Sequence, residues 1–431
     1  MDITEAKTPH RPRIVVVGGG FAGLNLVKKL NKKYFEVILV DSNNYHSFPP
    51  LFYQIASSGL DPSSISFPFR REMRKGSVKG VKYQMGEVSA IDFSRKEVTT
   101  QYETLSYDKL VIAAGTTNNF FGNDELIKSV YTIKSVPEAI RCRDEILERM
   151  ERATLTSDKA LRKKLLSFTV IGGGPTGVEI AGALGEMKRY ILPREYPTIS
   201  PDEVSITLIE GSDKLLGAMS AKSSAKALEY LKTLMVDVRL KQIMTSYENE
   251  TVELGDGTTM DAGMVIWTAG VTARKFDFAG NTPQLDKSSR LVVDTSCRVS
   301  GLDDVYALGD IAFMPTDSNP KGYPQLAQVA IQQAVHLAGE LNTGKFTEFR
   351  YRDKGAMATV GRNLAVADLP HVSLSGFIAW LTWMFIHLIS ILGMRNKLTV
   401  LITWIWAYCS YPTSLRLIIR PSRYPLKSKH L

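Results

Sequence analysis

The chain has 431 residues, of which 44% are hydrophobic and 23% charged, and its formal net charge is +9. This composition excludes a disordered or fibrous protein and predicts two or three globular domains. The positive charge favours an anionic partner, either acidic lipid or nucleic acid. Because no nucleic-acid-binding motif accompanies the charge, nucleic-acid binding is not expected.

The first predicted unit is a strand, a glycine loop and a helix. The β-branched run Ile14–Val17 is typical of a buried parallel strand. The loop that follows reads Gly18, Gly19, Gly20, Phe21, Ala22 and Gly23. This GxGxxG pattern lets backbone N–H groups approach a pyrophosphate at a helix N-terminus. We therefore predict a dinucleotide site, with an ordinary glycine-rich turn as the alternative.

An acidic residue supports this prediction. The next apolar strand, Val37–Val40, ends at Asp41, which lies 23 residues after Gly18. A carboxylate at this distance from the loop can accept the hydroxyls of an adenosine ribose.

A second unit of the same kind starts at Ser167–Val170. Its loop reads Gly172, Gly173, Gly174, Pro175, Thr176 and Gly177. Pro175 suits the first turn of a helix, where its missing N–H is no loss. The next strand, Ser205–Ile209, ends at Glu210, whose carboxylate would repel a 2′-phosphate and so favours NAD over NADP. The alternative is that Glu210 only ends a strand.

Two dinucleotide loops imply two dinucleotides, normally a bound flavin and a diffusing nicotinamide. The three cysteines, Cys142, Cys297 and Cys409, are far apart and form no CxxC pair. This spacing excludes a disulfide scaffold and a redox-active CxxC, and it indicates a reducing compartment. The histidines form no cluster with ligand spacing, so no metal is predicted. His46 is expected to have a packing or surface role.

Six further segments resemble those of the two-dinucleotide-binding flavoproteins. Within that superfamily they are similar to the type II NADH dehydrogenases, which are NADH:quinone oxidoreductases. The segments are 44–54, Val111–Gly115, Val265–Val271, Val305–Asp310, Ala327–Gln332 and Gly355–Gly361. Ala327–Gln332 is the most diagnostic segment, because its sequence Ala-Gln-Val-Ala-Ile-Gln is similar to the family's AQxAxQ quinone motif. The resemblance implies an α/β fold with two Rossmann-like, glutathione-reductase-like domains and a C-terminal helical membrane-anchoring segment.

The resemblance also implies domain bounds, cofactors and site residues. The expected domains are 8–120 and 273–350 for FAD, 121–272 for NAD(H), and 351–431 for membrane anchoring. FAD is expected to be bound tightly but not covalently, with NADH as substrate. Beyond the first loop and Asp41, the implied FAD contacts are Ala114, Gly115, Gly309, Asp310, Gln325, Leu326 and Ala327. The implied NADH contacts are Gly172, Gly174, Pro175, Gly177, Glu210, Ala269 and Gly270.

Three side chains are predicted to act in catalysis. Gln328 and Gln332 are four apart and share one helix face, where neutral amides can donate to a quinone carbonyl and accept from a quinol. The alternative is a solvated helix face. The resemblance implies that Glu179 lies near flavin, nicotinamide and quinone, where it would handle a proton or orient the nicotinamide. Its alternative role is to stabilise a helix N-terminus.

The C-terminal region is apolar and aromatic. Leu374–Gly393 contains no charged residue over 20 positions, long enough to cross a bilayer, whereas Leu398–Tyr411 has only 14 residues. Four of the five tryptophans lie in this region, and cations flank it. These features favour helices that lie in the membrane surface and attract anionic lipid. A single span and a buried dimer interface remain alternatives.

The expected function is non-proton-pumping transfer of electrons from NADH through FAD to a membrane quinone. The chain lacks a secretory signal, so we expect a monotopic protein on the cytoplasmic face of the cell membrane. The resemblance implies a homodimer. Alternatives are a sulfide:quinone oxidoreductase, a ferredoxin or rubredoxin reductase, and a non-catalytic flavin-binding scaffold or redox sensor.

Overall fold

The computed structural model describes residues 11–74, 76–123, 125–410 and 415–418. Contacts group these residues into two compact units. The first unit comprises the described parts of Met1–Ser47, Ser66–Asn119 and Val271–Lys354. The second comprises those of Phe48–Ile65, Phe120–Gly270 and Gly355–Leu431. The domain bounds expected from the sequence stay predictions.

The elements are numbered here in chain order. The strands are β1 (Arg13–Val17), β2 (Glu36–Asp41), β3 (Tyr45–Ser47), β4 (Ser66–Pro68), β5 (Lys82–Met85), β6 (Val88–Asp92), β7 (Glu97–Thr100), β8 (Thr104–Ser106), β9 (Lys109–Ile112), β10 (Thr116–Asn118), β11 (Tyr131–Thr132), β12 (Ser167–Ile171), β13 (Ser205–Glu210), β14 (Asp237–Leu240), β15 (Met244–Glu248), β16 (Thr251–Leu254), β17 (Thr259–Asp261), β18 (Met264–Trp267), β19 (Val271–Ala273), β20 (Asp277–Ala279), β21 (Leu291–Val292), β22 (Val305–Ala307), β23 (Ala312–Phe313), β24 (Ala356–Gly361), β25 (Leu364–Leu369) and β26 (Val372–Ser375). The α-helices are α1 (Phe21–Lys29), α2 (Phe52–Ala56), α3 (Phe69–Glu72), α4 (Leu126–Ser129), α5 (Val136–Leu155), α6 (Lys159–Leu165), α7 (Pro175–Glu186), α8 (Leu192–Glu195), α9 (Ala221–Thr233), α10 (Ala327–Thr343), α11 (Phe377–Ser390) and α12 (Met394–Ser410).

The first unit is built on a parallel sheet of order β22-β9-β1-β2-β5. Its central strand is buried from Ile14 onwards, because Ile14, Val15 and Val16 are 0% exposed. A strand buried on both faces is expected to be a continuous apolar run, as the sequence predicts. Helix α1 packs against α10, which ends at Gly344 with a left-handed φ of 69°.

The second unit repeats this design with the parallel order β11-β18-β12-β13-β14. Its central strand β12 is buried throughout, and α7 begins at Pro175, as predicted. Helix α7 also lies against β24 of the antiparallel sheet β24-β25-β26. The approach is so close that a Cβ on Gly182 would lie 1.7 Å from the Val360 carbonyl oxygen.

The apolar segment Leu374–Gly393 is not one helix. Its first residues form the end of β26, and α11 starts only at Phe377. The reason is Gly376, whose φ of 71° belongs to the left-handed region that favours glycine and interrupts a helix. Within the described ranges, no helix combines the length and the apolar character needed to cross a membrane.

Candidate functional site

The first glycine loop is held between its neighbouring strands. Gly18 N–H donates to Val40 O at 2.8 Å, and Ala113 N–H donates to Val17 O at 2.8 Å. Gly18 has a φ of +98°, and a Cβ there would lie 2.5 Å from Ala113 O. A side chain at this position is therefore excluded both by conformation and by space.

The second loop has the same backbone geometry. Gly172 N–H donates to Ile209 O at 2.8 Å, and Thr268 N–H donates to Ile171 O at 2.8 Å. Gly172 has a φ of +107°, and a Cβ there would lie 2.9 Å from Ala269 N. The two loops are thus matching turns in two sequence contexts.

Each predicted acid binds its own loop. Asp41 accepts from Gly19 N–H at 2.6 Å, and Glu210 accepts from Gly173 N–H at 2.5 Å. Burial raises the pKa of Asp41, and the Gly19 N–H acts in the opposite direction. Because each carboxylate oxygen can accept a second hydrogen bond, these acids can hold the loop and still bind a ribose hydroxyl.

The open side of each loop fits a pyrophosphate. A Cβ added to Gly20, Gly174 or Gly115 would meet no described atom within 4 Å. Gly20 and Gly174 are the N-caps of α1 and α7, whose first N–H groups have no partner within the helix. Unobstructed helix N-termini of this kind bind phosphate groups. Phe21, Ala22 and Pro175, Gly177 lie in the first turns of these helices.

The remaining predicted FAD contacts lie in the first unit. One of them, Gly309, is held by a glutamine that the sequence did not indicate. Gln333 is 2% exposed, and its Oε1 accepts from Gly309 N–H at 2.7 Å. Gln325 Nε2 donates to the Asp310 carbonyl at 2.8 Å. Leu326 caps α10 and Ala327 begins it. The only sequence signal for Gln333 was its place directly after the AQxAxQ motif.

The predicted NADH contacts Ala269 and Gly270 follow β18 in the second unit. Gly270 has a φ of +81°, and a Cβ there would lie 2.5 Å from the Phe121 ring. Ala114, by contrast, lies in the first unit beside Gly115, which has a φ of +66°. Each pair thus forms the turn after the strand beside the central strand of its sheet, β9 in the first unit and β18 in the second.

The two predicted quinone glutamines bind the protein's own backbone. Gln332 accepts from Arg352 N–H at 3.0 Å and donates to the Arg352 carbonyl at 2.9 Å. Gln328 accepts from Lys354 N–H at 3.1 Å. In this conformation the amides fix the segment that leads into β24.

Glu179 is not in the first turn of α7 but at its fifth residue, and it is 8% exposed. Burial raises its pKa well above the ordinary value, while the Thr359 backbone amide and the Trp383 indole lower it. Trp383 is 2% exposed, and its indole N–H lies near the Glu179 carboxyl but makes no full hydrogen bond to a described residue. A buried acid with a raised pKa thus lies beside a buried indole donor.

Glu179 and Trp383 line one cavity, which encloses about 1000 Å³ including its solvent-open mouth. Its wall also contains a series of hydrogen-bonded side chains that the sequence did not predict. Trp404 Nε1 donates to Gln54 Oε1 at 2.9 Å, and Gln54 Nε2 donates to the Tyr53 hydroxyl at 2.8 Å. Because Tyr53 and Trp404 are far apart in the chain, no local pattern indicates this contact.

Comparisons with known proteins agree with this architecture. Residues 12–334 match the model of the pyridine nucleotide-disulphide oxidoreductase family, and residues 354–409 match the NDH2 C-terminal domain. Type II NADH:quinone oxidoreductase Ndh of Mycobacterium tuberculosis is 34% identical over 94% of this chain and 90% of that protein.

Two solved structures share the fold. NDH2 from Plasmodium falciparum in complex with NADH has a TM-score of 0.88 and 22% identity, covering 95% of this chain and all of that one. The sulfide:quinone oxidoreductase of Aquifex aeolicus has a TM-score of 0.70 and 17% identity, covering 90% and 92%. These likenesses show the fold, and the Mycobacterium relative shows the family. The chain belongs to the type II NADH:quinone oxidoreductase family.

Proposed function

We propose that the protein transfers two electrons from NADH to a membrane quinone: NADH + H⁺ + quinone → NAD⁺ + quinol. The observation that carries this proposal is the pair of matching glycine loops, each open at a helix N-terminus. FAD held at the first loop supplies hydride acceptance and two-electron release. The first loop, Asp41 and the Gly309–Asp310 turn would bind it.

The second loop would bind NADH. Its backbone N–H groups face the pyrophosphate, and Glu210 accepts the ribose hydroxyls while repelling a 2′-phosphate. Purified protein is expected to oxidise NADH when a short-chain quinone is added. A protein with bound flavin that did not oxidise NADH under these conditions would be a scaffold or sensor and would refute the proposal.

The quinone site is proposed to be the cavity that contains Glu179 and Trp383. The Trp383 indole N–H can donate to a quinone carbonyl, and the protonated Glu179 can give a proton to the oxygen as electrons arrive. Gln328 and Gln332 are proposed to contribute by holding the segment before β24, which carries Thr359 and Gly361 into the cavity wall.

This site is tested by Trp383→Phe, which removes the donor and keeps an aromatic ring. The KM for quinone should rise, while NADH oxidation with ferricyanide, which takes electrons without protons, should stay unchanged. Trp406→Phe is the matched control, because Trp406 is 63% exposed on α12. Equal KM values for quinone in both variants would exclude Trp383 as a quinone contact.

The sulfide:quinone reaction has less support. The relative that shows the family carries an NADH:quinone name, whereas the likeness to the sulfide enzyme concerns the fold. Cys142 and Cys297 are buried and Cys409 is exposed, and all three are free thiols.

The protein is proposed to bind the membrane surface through α11 and α12. Large apolar side chains are exposed at helical spacing on both helices, at Ile378, Leu381, Phe385 and Ile389, and at Met394, Leu398, Ile402 and Ile405. The opposite faces bury Trp383, Val400 and Trp404. Helices that are apolar on two sides can pack on the protein with one face and contact lipid with the other. Arg395 is exposed and can bind an anionic lipid headgroup.

A double substitution tests this surface. Phe385→Gln with Ile402→Gln should reduce sedimentation with anionic vesicles, because it removes two exposed apolar contacts without disturbing the buried face. Val335→Gln on α10, where Val335 is 42% exposed, is the control. Equal sedimentation of both variants would contradict attachment through these helices.

The remaining proposals concern assembly and topology. A homodimer on the cytoplasmic face is supported by the family resemblance and by the reducing compartment that the unpaired cysteines suggest. Sedimentation equilibrium in detergent should give twice the mass of one chain, and protease added to inside-out vesicles should reach the protein. A single-chain mass or complete protection would contradict these proposals.

A further inference from the structure

The cavity proposed for quinone contains ionisable groups other than Glu179. Those in its wall are Tyr53, Glu179, Glu186, Arg362, Tyr408 and Arg416. The reaction takes up one proton for each quinone reduced. The three tryptophans Trp380, Trp383 and Trp404 also line the wall. Because indole rings do not carry protons, Glu179 needs other groups to supply it with that proton.

Glu186 is placed to receive the proton. It lies seven residues after Glu179, which is about two helical turns, so both carboxyls are on one face of α7. Strand β24 crosses this face at Gly182. Arg362 N–H, just after the strand, donates to Glu186 Oε1 at 2.5 Å. Because this bond favours Oε1 as the carbonyl oxygen of the acid form, the proton is favoured on Oε2.

Tyr53 lines the same cavity as the two acids. Burial and the charges of Glu179 and Glu186 raise the pKa of its hydroxyl. Gln54 Nε2 donates to the hydroxyl oxygen, and the Trp404 indole fixes the Gln54 amide in that orientation. Because the tyrosine oxygen already accepts, its own proton is directed to another acceptor.

The two cations in the wall have other contacts. Arg362 Nη2 donates to the Ala407 carbonyl at 2.6 Å, and its guanidinium lies 4.9 Å from the Tyr408 ring. Arg416 is paired with Glu195. Burial raises the pKa of Glu186 more than the nearby charge and amide of Arg362 lower it. Both acids therefore retain a protonated population at higher pH than an ordinary glutamate.

Glu186 is half-buried, whereas Glu179 is only 8% exposed. We propose that Glu186, Tyr53 and Glu179 form a proton relay from solvent to the quinone, an inference that rests on the proposed function. Glu179 protonates the quinone oxygen as electrons arrive, and the carboxylate that remains takes the proton of the Tyr53 hydroxyl. A solvent proton held on Glu186 Oε2 passes through cavity water to the Tyr53 oxygen and restores the hydroxyl. One proton enters and one leaves, and NADH supplies the two electrons and the second hydrogen of the quinol.

The test compares Glu186→Gln, Glu186→Asp and Tyr53→Phe with Glu229→Gln, a control at an exposed carboxylate on α9. Quinone turnover should fall roughly tenfold or more in Glu186→Gln and Tyr53→Phe, on the scale of a lost proton transfer. Glu186→Asp should recover part of it. Ferricyanide turnover and FAD content should match the wild type, because electron transfer alone needs no proton.

The pH profile separates proton supply from a structural role. In Glu186→Gln the quinone rate should fall more steeply as pH rises, and the solvent deuterium isotope effect should increase. Parallel loss of quinone and ferricyanide turnover, or unchanged quinone turnover, would overturn the relay. If instead the wild type itself reduced ferricyanide but no quinone, the proposed function would have failed rather than the relay alone.

Discussion

The loops at β1–α1 and β12–α7 have the same backbone hydrogen bonds but differ in what surrounds them. In the first, the Gly19 carbonyl accepts from His46 Nδ1 at 2.8 Å. In the second, the Gly173 carbonyl accepts from the Leu216 backbone N–H at 2.8 Å. Burial lowers the pKa of His46 to about 4, so the neutral ring donates through Nδ1. A histidine side chain thus holds one loop, and a backbone N–H group holds the other.

The helices after the loops differ more. Helix α1 ends in Lys28 and Lys29 and packs on α10, so beyond its N-terminus it supports its sheet. Helix α7 presents Glu179 and Glu186 to a cavity. The same backbone turn therefore occurs in both units, but the acids that line the cavity lie on the helix after the second turn.

The largest expected effects come from the last glycine of each loop. A Cβ on Gly23 would lie 1.9 Å from Gly18 O, and a Cβ on Gly177 would lie 1.8 Å from Gly172 O. Gly23→Ala should therefore yield protein without FAD. Gly177→Ala should stay yellow but raise the KM for NADH roughly tenfold or more, a loss of at least about 1.4 kcal/mol.

The visible spectrum and NADH kinetics measure both variants. If Gly177→Ala lost FAD as completely as Gly23→Ala, the assignment of separate ligands to the two loops would be wrong.

The features predicted from the sequence are those set by nearby residues. Each loop, its strand and its acid lie within a few tens of residues, and the structure confirms that the strands β1, β2, β12 and β13 surround the loops. The roles of Gln328 and Gln332 did not follow from their shared face, because their partners lie 20 residues or more away, at Arg352 and Lys354.

The C-terminal helices illustrate a different difficulty. Their amphipathic signal is weak because both faces are apolar, one buried with Trp383 and the other exposed with Phe385. Sequence periodicity reports a difference between faces, so it cannot separate a face covered by protein from one open to lipid. Tyr53 and Arg362 were missed because they reach the cavity only through folding.

The second prediction concerns the acid on α7. Glu179→Gln should slow quinone reduction roughly tenfold or more, because the amide cannot donate the acidic proton. FAD should be retained, since the substitution leaves the first loop untouched. Turnover is measured with quinone and with ferricyanide, and unchanged quinone turnover would remove Glu179 from the site.

The third prediction sharpens the contrast between the two acids. Glu210→Gln should increase the relative efficiency of NADPH, by roughly tenfold, because the repulsion of the 2′-phosphate is lost. Asp41→Asn should weaken FAD binding and leave the preference for NADH over NADPH unchanged. The ratio of kcat/KM for the two nucleotides measures this, and an unaltered ratio in Glu210→Gln would contradict the role of Glu210.

The smallest expected effect concerns His387 of α11. Burial lowers its pKa from 6.5 to about 4, and its ring stacks on Trp383 at 4.0 Å. The unfolded chain therefore binds a proton that the folded ring does not, so stability falls as pH drops from about 6.5 towards 4. His387→Gln should flatten part of the decrease in Tm over this range, and an identical slope would contradict this account.

The most direct test is an anaerobic titration of the purified protein followed by its visible absorbance. The account predicts a flavin spectrum that equimolar NADH bleaches, that NADPH at the same concentration leaves largely oxidised, and that added quinone restores. A protein that remained colourless after FAD was supplied, or a bound flavin that NADH did not bleach, would contradict the claim that these two loops hold FAD and NADH.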